Sequence, residues 1–448
     1  RQQLLDLIID PDRAYDMPLR EIESLQLQAA QELFERRSTQ IALVARRAED
    51  AGISAIRSFD DLVPLLFAHT VYKSYPPSFV EQGRWDRMLQ WLQTLSVEPT
   101  ANVDVRGVQN VDQWIERLWA AGHMVLATSG SSGKVSFLNH TRGDQRMKTR
   151  HFKHSVNWPY VKPSRERALF WLGPMKGPNS AIESAIIGAE NWGKPGNIFA
   201  LTDEPLLISE VSRMAAMRKK MTDGTATPGE IAAFESEAAL KGARAQAQLR
   251  DLAVKIIERR REPMLISGLW AQHMAIIRQA REMGVGDGEF HPQTIINAGG
   301  GIKGVALPPD YKEQVAQFYG NVIRPGAYGM TEMAQLLPRC EAGRYHRAPG
   351  LVVLVLDQNG ERLLQPQDGK DGVVEGRFAF LDLAYEGRWG GIITGDKVTI
   401  DFADRCPCGR HGPTLLDNIS RFTQAGGGDD HIGCAGTIDA YIRGSVAA

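Results

Sequence analysis

Between residues 105 and 300, short apolar segments alternate with segments of helix-forming composition, and this alternation constrains the fold more than any other feature. The apolar segments are candidate buried strands at residues 123–127, 168–172, 197–201, 264–267 and 294–297. Strands that alternate with helices predict a largely parallel sheet covered by helices. We therefore expect a protein of the α/β class.

The segments on either side of this region have different patterns. Residues 1–98 are mostly rich in helix formers, and residues 208–261 predict a helical hairpin whose second helix begins with a Thr227-Pro228-Gly229-Glu230 capping box. Beyond residue 350 the pattern turns to β-strands, with a hairpin turn at Asn359-Gly360. A chain of 448 residues is expected to form two or three lobes. The predicted segments are a helical N-terminal lobe (1–98), an α/β core (99–337), a β-rich subdomain (338–417), and a hinge with a C-terminal stub (418–448).

The overall charge is close to neutral, with 52 basic and 53 acidic residues. This balance provides no electrostatic argument for binding nucleic acid or an anionic membrane. We see neither an apolar run of the ~20 residues that a membrane-spanning helix needs nor a signal peptide, although the initiator methionine is absent. We expect a cytoplasmic protein in which the four cysteines are reduced thiols or metal ligands.

A loop rich in glycine and hydroxyl groups follows the first candidate strand. Glycines let the backbone present N–H groups, while hydroxyls and a lysine add further donors for a polyphosphate. The loop is neither a Walker A motif nor a nucleophile elbow, and in isolation it could be a flexible Ser/Gly loop. Its residues are Thr128, Ser129, Gly130, Ser131, Ser132, Gly133 and Lys134.

Two further motifs follow along the chain. Tyr328-Gly329-Met330-Thr331-Glu332 combines a ring that can stack on a base, a hydroxyl for a phosphate and a carboxylate for Mg²⁺. Thr394-Gly395-Asp396 follows an apolar stretch, and its carboxylate can accept hydrogen bonds from ribose hydroxyls. Alone, the first of these can occur by chance and the second can be an ordinary turn.

Taken together and in this order, the three motifs resemble those of the adenylate-forming superfamily, which includes acyl-CoA synthetases, peptide-synthetase adenylation domains and luciferases. The spacings of about 200 and 65 residues are similar to that family. The glycine segment that contains Gly299, Gly300 and Gly301 resembles the family segment that lines the adenine and acyl pockets. The resemblance covers roughly residues 45–440.

One branch of the superfamily is especially similar: the phenylacetate–CoA ligases and the acyl-protein synthetase of bacterial bioluminescence. The similar features are Ser58-Phe59-Asp60-Asp61-Leu62 in the helical lobe, the run from Gly300 to Gly304, and Cys406-Pro407-Cys408-Gly409-Arg410 after the third motif. The resemblance implies an adenylate-forming fold with stacked α/β subdomains and a β-rich subdomain.

The resemblance also implies the roles of individual residues. The loop from Thr128 to Lys134 would surround and bind the β- and γ-phosphates, and Tyr328 would stack on adenine. Thr331 would bind the α-phosphate, Glu332 would coordinate Mg²⁺, and Asp396 would hold the ribose. The implied reaction is in-line attack by a carboxylate on the α-phosphorus of ATP, and it rests on positioning and charge neutralisation.

The C-terminal part departs from the family pattern. Asp429-Asp430-His431-Ile432 fits part of the hinge motif, but Gly433 replaces the hinge lysine, and Arg421 is the candidate for the hinge arginine. The family's adenylation lysine is missing from the sequence. Either the C-terminal domain is truncated or the enzyme works with a stub, in which case Lys134 or Lys303 could neutralise charge.

A zinc site is the second functional candidate. Cys340, His346, Cys406 and Cys408 make a four-ligand structural set, with His411 as an alternative to His346 and unliganded thiols as the alternative to zinc. Some relatives in the phenylacetate–CoA ligase branch carry a Cys/His zinc site in this region.

The last prediction concerns the acid and the acceptor of its acyl group. We expect ATP-dependent adenylation of an aromatic or medium-sized carboxylic acid, followed by transfer to CoA, a carrier-protein thiol or an amine. Adenylation of nitrite for attack by an aryl amine is one alternative, and a non-catalytic nucleotide-binding relative is another. His140 could approach the substrate, although a lone histidine is more often structural, and a homodimer is left open.

Overall fold

The computed structural model describes residues 1–128, 134–300 and 306–422. The chain divides into two compact units, each considered by itself below. The first unit combines Arg1–Pro159 with Ala327–Ala448, and the second is Tyr160–Gly326. These bounds differ from the four segments expected from the sequence, which stay a prediction. The predicted hinge motif at residues 429–433 lies outside the described residues.

Helices dominate the beginning of the first unit, as the composition of residues 1–98 predicts. The helix-forming run from residue 22 onward makes two helices rather than one, because Ile41 is extended, with φ −121° and ψ 102°. Short 3₁₀ helices lie at Leu7–Ile9, Asp60–Leu65 and His69–Lys73. The α-helices are α1 (Gln2–Asp6), α2 (Pro11–Ala14), α3 (Leu19–Gln40), α4 (Ala42–Ala51), α5 (Pro77–Glu81), α6 (Trp85–Gln93), α7 (Val111–Ala120) and α8 (Arg142–Ser155).

Three short strands accompany these helices: β1 (Phe67–Ala68), β2 (Leu126–Thr128) and β3 (Ser136–Leu138). The strand predicted at residues 123–127 is therefore misplaced, since the regular strand begins only at Leu126. It pairs antiparallel with β3 instead of joining the parallel sheet. The N–H of Val125 donates to the carbonyl of His123 and so interrupts the strand, although Met124 still donates to His140 in the register of the β2–β3 pair.

The second unit contains the predicted parallel sheet. Its four strands are β4 (Arg167–Pro174), β5 (Gly193–Thr202), β6 (Met264–Leu269) and β7 (Ile295–Gly299), in the order β5-β4-β6-β7 and all parallel. The helices are α9 (Ser180–Trp192), α10 (Ile208–Thr222), α11 (Pro228–Glu258), α12 (Trp270–Glu282) and α13 (Tyr311–Tyr319). A buried cluster that includes Phe170, Ile266 and Ile296 holds sheet and helices together. The predicted hairpin is confirmed as α10 and α11, including the capping box at Thr227 and Glu230.

The last part of the first unit is mainly antiparallel sheet, as the β pattern beyond residue 350 predicts. Its strands are β8 (Ala327–Tyr328), β9 (Leu337–Pro338), β10 (Tyr345–His346), β11 (Leu351–Leu356), β12 (Val373–Asp382), β13 (Gly391–Asp401), β14 (Thr414–Leu415) and β15 (Ser420–Arg421). A further 3₁₀ helix lies at Pro366–Asp368. The sheet order is β10-β14-β13-β12-β11, and β1 and β15 also pair with β13. Mixed helix and sheet content confirms the α/β fold class.

Strand β13 differs from the sequence expectation in one functional respect. The sequence predicts that the third motif follows a strand, but Asp396 lies in the middle of the 11-residue strand. Strand β15 pairs with it there, and Asp396 is in register with Arg421.

Among the described residues, none of the helices has the length and apolarity needed to cross a membrane.

Candidate nucleotide and metal sites

Tyr328, Asp396 and Arg421 form a continuous polar chain in the first unit. The hydroxyl of Tyr328 donates to Asp396 over 2.7 Å, and the Nε of Arg421 lies 2.9 Å from the other oxygen of the same carboxylate. Burial and the neighbouring Asp396 charge raise the pKa of Tyr328 well above its ordinary value, so the phenol stays a donor. The second and third motifs therefore meet although 68 residues separate Tyr328 from Asp396.

The loop after Tyr328 is held in place by a buried carboxylate. Asp382, at the end of β12, accepts hydrogen bonds from the N–H groups of Ala334 (2.8 Å) and Gln335 (3.1 Å). It also accepts from the Gln335 side chain (2.8 Å) and from the N–H of Ala384 (3.0 Å). A fully buried carboxylate with four donors restricts the backbone that follows Thr331 and Glu332.

A second support for this loop is the buried guanidinium of Arg388. It donates to the carbonyl of Glu332 over 2.8 Å and to the hydroxyl of Tyr72 over 2.6 Å. Its charge also lies 3.9 Å from the ring centre of Tyr385 and 5.0 Å from that of Tyr72. Two aromatic faces and two acceptors thus compensate the desolvation of this cation.

His140 belongs to the same buried cluster. Its Nε2 lies 3.4 Å from the hydroxyl of Tyr385, and the residue is 2% exposed. Burial, aided by the charges of Arg388 and Lys148, holds the pKa of His140 well below its ordinary value, so the ring is neutral. The contacts of His140 are those of a core histidine.

The carboxylate of Glu332 lies among several charges. Burial raises its pKa above the ordinary value and the nearby Asp396 adds to this, while Arg388 and Arg421 act in the opposite direction. Glu332 also interacts electrostatically with Lys73, a half-buried lysine at the end of the 3₁₀ helix His69–Lys73. A carboxylate that the fold holds in an unfavourable ionised state gains by binding a divalent cation.

The described ends of the phosphate-loop candidate lie on a hairpin. Thr128 ends β2 and is in register with Ser136 of β3. The ammonium of Lys134 donates to the carbonyl of Tyr75 and lies 4.4 Å from the centre of its ring. Ser129, Gly130, Ser131, Ser132 and Gly133 lie outside the described residues, so their phosphate role stays a prediction.

The glycine segment belongs to the second unit. Gly299 is the last residue of β7, and Gly300 follows with φ +79°. A Cβ atom at Gly300 would lie 2.5 Å from the side chain of Leu269, so this position favours glycine. Gly301 and Lys303 lie outside the described residues, and the nucleotide role of the segment stays a prediction.

The four candidate zinc ligands lie together in the first unit. Their ligand atoms are all within 4.8 Å of one another. The sulfur atoms of Cys340 and Cys406 are 3.8 Å apart, and that of Cys408 is 3.5 Å from Nε2 of His346. Tetrahedral zinc with three thiolates and one imidazole requires this kind of close cluster.

Both cysteine segments are tight turns that aim the thiols inward. The N–H of Cys340 donates to Arg344 and that of Cys406 to Arg410, each over 2.8 Å. Gly343 and Gly409 reverse the two turns with φ of +72° and +90°. The equivalent construction of both turns places Cys340 opposite Cys406.

The imidazole orientation also suits a metal. Nδ1 of His346 lies 3.2 Å from the carbonyl of Tyr15, which leaves Nε2 for the cluster. Burial lowers the pKa of His346 to about 4, so the ring is neutral, as a ligand must be. The alternative ligand His411 is outside the cluster, with its Nδ1 3.0 Å from Asp16.

Burial raises the pKa values of Cys340 and Cys406, the latter to about 12. At Cys408, hydrogen bonds from the Arg410 backbone and from neighbouring side chains outweigh burial and lower the pKa. A bound cation would convert all three thiols to thiolates, with release of protons. The donor set therefore fits zinc.

Two buried side chains that support the candidate site were not found from the sequence: Tyr72 and Arg388. Each is a single residue outside a recognisable motif, and only the fold links the two by a hydrogen bond and connects Arg388 to the carbonyl of Glu332. The sequence signal for Arg388 is its position a few residues before the third motif, in the run Arg388-Trp389-Gly390.

Comparisons with known proteins give partial matches. No protein-family model and no curated protein matches this sequence. Among solved structures, one similar chain is described as a long-chain-fatty-acid CoA ligase from Rhodopseudomonas palustris, with 13% identity over 66% of this chain and a TM-score of 0.37. VinN in complex with L-aspartate matches with 14% identity over 68% and a TM-score of 0.35.

A third similar structure is a fatty acyl-adenylate ligase from L. pneumophila in complex with acyl adenylate and pyrophosphate, with 12% identity over 65% of this chain and a TM-score of 0.34. The matches span 58%, 65% and 49% of the lengths of the three solved chains, respectively. Two of these three solved chains are thus described as ligases.

Proposed function

We propose that this chain uses ATP and Mg²⁺ to adenylate a small carboxylic acid, aromatic or of medium size, with release of pyrophosphate. The observation that supports this most is the connection of Tyr328, Asp396 and Arg421, with Glu332 in electrostatic contact with the last two. These contacts support one shared nucleotide site for the second and third motifs.

The individual groups suit the parts of an adenosine nucleotide. The Tyr328 ring would stack on the base, and the Asp396 carboxylate would accept the ribose hydroxyls. Its two oxygens provide about four acceptor positions, of which Tyr328 and Arg421 use two. Enough acceptor capacity remains for a ribose.

The Mg²⁺ ion would be held by Glu332 together with phosphate oxygens, because Mg²⁺ is usually bound by one or two carboxylates and the substrate phosphates. Thr331, beside it, would donate to the α-phosphate. The Lys134 ammonium would contact the outer phosphates together with the loop 129–133. These roles require no covalent group on the protein.

In the reaction, a carboxylate oxygen of the acid forms a bond to the α-phosphorus while the bond from this phosphorus to the bridging oxygen breaks. The electron pair leaves on pyrophosphate, and acyl-AMP remains. A thiol of CoA or of a carrier protein, or an amine, would then attack the acyl carbon and release AMP.

An oxygen-18 experiment tests this chemistry. The protein is incubated with ATP, Mg²⁺ and a carboxylic acid labelled in both oxygens, and hydroxylamine is added as the acceptor. We expect AMP with one labelled oxygen, together with the hydroxamate. Unlabelled AMP formed at the same rate without the acid would show simple hydrolysis of ATP and contradict the proposal.

We further propose that Cys340, His346, Cys406 and Cys408 hold one structural zinc ion. A set of four protein ligands leaves no position for water, so this ion would stabilise the β-rich part rather than take part in the reaction. Metal analysis of protein purified without chelators should give about one zinc per chain. A zinc content near zero would overturn this assignment.

A further inference from the structure

A cavity of about 500 Å³ lies in the first unit, lined by helix α3, residues 57–60, strand β11 and residues 363–365. Its volume falls within the ~300–1,000 Å³ that is typical of small-molecule sites. None of the described residues of the three nucleotide motifs lines it. The cavity is therefore separate from the candidate nucleotide site.

Hydrogen bonds hold the walls of this cavity in place. Gln26 of α3 is 2% exposed, and its side-chain amide donates to the carbonyl of Pro349 over 2.8 Å, which ties the helix to the segment before β11. The carboxylate of Asp61 accepts from the N–H groups of Arg57 (2.7 Å) and Ser58 (2.9 Å). The cavity is thus preformed by the fold.

Apolar side chains make up most of the lining. They come from the helix, from the turn at residue 59, from β11 and from the segments that follow β11 and β13. A ligand with an apolar body would remove this surface from water, which favours binding. Examples of these side chains are Leu19, Leu27, Phe59, Val353, Leu363 and Phe402.

The guanidinium of Arg347 is the exception in this apolar lining. The residue is 6% exposed, and its Nη2 donates to the carbonyls of Met17 (3.2 Å) and Gly412 (3.4 Å). Its Nε is buried without an acceptor. Among the described residues, these two neutral carbonyls are the hydrogen-bond acceptors of its side chain. A buried cation that lacks a paired anion is costly, so a carboxylate in the cavity would supply the missing counter-charge.

The other charged residues of the lining also favour an anion over a cation. Arg20 and Arg57 are exposed and line the cavity with Arg347, against two acidic residues, Glu23 and Asp60. The positive charges therefore outnumber the negative ones, and the most deeply buried of the five is positive.

We propose that this cavity binds a small amphipathic carboxylate, with its apolar body against α3 and β11 and its carboxylate at the guanidinium of Arg347. The site is a binding site, and no bond is made or broken in it. This inference does not depend on the proposed function, because the cavity shares no described residue with the nucleotide motifs.

Decanoate and decanol test the role of the charge, because they share an apolar chain and only decanoate is an anion. Titration calorimetry should show that wild-type protein binds decanoate at least about tenfold more tightly than decanol, the effect of one charged interaction. Arg347→Met should lose this preference, and Arg347→Lys should keep part of it. Equal affinities of the wild type for both probes, or an undiminished preference in Arg347→Met, would overturn the proposal.

Photolabelling locates the bound probe and leaves Arg347 unchanged. A decanoate that carries a diazirine is irradiated with wild-type protein without ATP, and the labelled peptides are identified by mass spectrometry. We expect label within residues 19–27 and 352–355, with protection by excess decanoate. Label confined to other segments would overturn the proposal.

A cavity-filling variant provides the matched comparison. Ser24 is an exposed residue of α3 that lines the cavity, so the ring of Ser24→Phe should occupy the ligand volume and reduce labelling at least about tenfold. Gln28→Phe is the control, because Gln28 is exposed on the same helix and lies outside the lining. It should be labelled like the wild type. Equal labelling of Ser24→Phe and wild type would contradict the assignment of the ligand to this cavity.

Discussion

The phenol of Tyr328 donates a 2.7 Å hydrogen bond to Asp396, whose other carboxylate oxygen is paired with Arg421. The residue that would stack on the base is therefore tied to the residue that would hold the ribose. The ring of Tyr328 is further held edge-on against Phe378, with ring centres 5.2 Å apart. These contacts organise both groups before a nucleotide binds.

Tyr328→Phe and Tyr328→Ala should separate the two functions of this side chain. The Phe variant keeps the ring and loses one hydrogen bond to a charged acceptor, so the free energy of unfolding should fall by about 2 kcal/mol in urea titrations. ATP affinity should change less than about threefold. The Ala variant also loses the stacking surface and should bind ATP at least about tenfold more weakly. Equal ATP affinity of the two variants would show that the ring does not hold the base.

Glu332→Gln should increase stability while reducing the Mg²⁺-dependent reaction. The folded state raises the pKa of Glu332 above its ordinary value of 4.5, mainly through burial. The neutral acid is therefore preferred in the fold, and wild-type protein loses stability as the pH rises from the ordinary pKa through the raised one. Between these two pKa values, the loss is about 1.4 kcal/mol for each pH unit.

Thermal melts of Glu332→Gln and wild type from pH 4 to pH 8 check this sign. The stability advantage of the variant should grow with pH and then level off. Glu375→Gln is the control, because this exposed carboxylate forms a surface ion pair with Lys397, and its effect should stay within about 0.5 kcal/mol. A Gln variant that is less stable than wild type at pH 8 would contradict the burial argument.

His151 predicts a second pH dependence, of the opposite sign. It is 1% exposed, neither ring nitrogen has a hydrogen-bond partner among the described residues, and burial lowers its pKa to about 3. Below pH 6.5, the ordinary pKa of a histidine, His151 is protonated in the unfolded chain but stays neutral in the folded chain. This one histidine should therefore cost wild-type protein about 1.4 kcal/mol of stability per pH unit as the pH falls from 6.5 toward 3.

His151→Leu removes both the titration and the unpartnered polar atoms. We expect it to unfold at higher urea concentration than wild type at pH 7, with a larger gain at pH 5. His154→Leu, on the same helix but less buried, should give a smaller gain. An unchanged or lower stability of His151→Leu at pH 5 would mean that the ring is satisfied in solution.

The zinc assignment makes a prediction about which histidine matters. His346→Ala should lower the zinc content to well below one per chain, because Nε2 of His346 lies in the cluster. His411→Ala should retain zinc, since the described contacts of His411 are with Asp16. The reverse result would assign the fourth ligand to His411.

Cysteine variants complete this test. Cys406→Ser should lose zinc and lower the melting temperature by several degrees, because about 1 kcal/mol of lost stability corresponds to roughly 2–4 °C in a domain of about 150–250 residues. Cys434→Ser is the control: this cysteine lies outside the described residues and outside the predicted ligand set. If Cys406→Ser kept its zinc and its melting temperature, the cluster would not be a zinc site.

The sequence predicts the elements whose signals are local. The four parallel strands, the helical hairpin with its capping box and the β character beyond residue 350 are confirmed because each depends on nearby residues. The Cys/His cluster has a similar basis, since two short segments, 340–346 and 406–408, carry its four members. Tertiary pairing overrides local pattern at residues 123–127, where the predicted strand is misplaced, and at Asp396, where a strand continues further than expected.

The polar support of the candidate site could not be predicted in this way. Arg388 stabilises the loop of Glu332 through a carbonyl, and Asp382 does so through backbone N–H groups. Such contacts leave no pattern in a single sequence, because any loop offers the same backbone partners.

The central claim is that this chain adenylates an acid, and exchange of radiolabelled pyrophosphate into ATP tests it most directly. The assay is run with Mg²⁺ across a panel of aromatic and medium-chain carboxylic acids, with nitrite as a separate arm and Asp396→Ala as the matched inactive variant. We predict exchange that depends on at least one carboxylic acid and is lost in the variant. Exchange with nitrite alone would assign the chemistry to a different oxyanion, and the absence of exchange in protein that binds ATP would contradict the account.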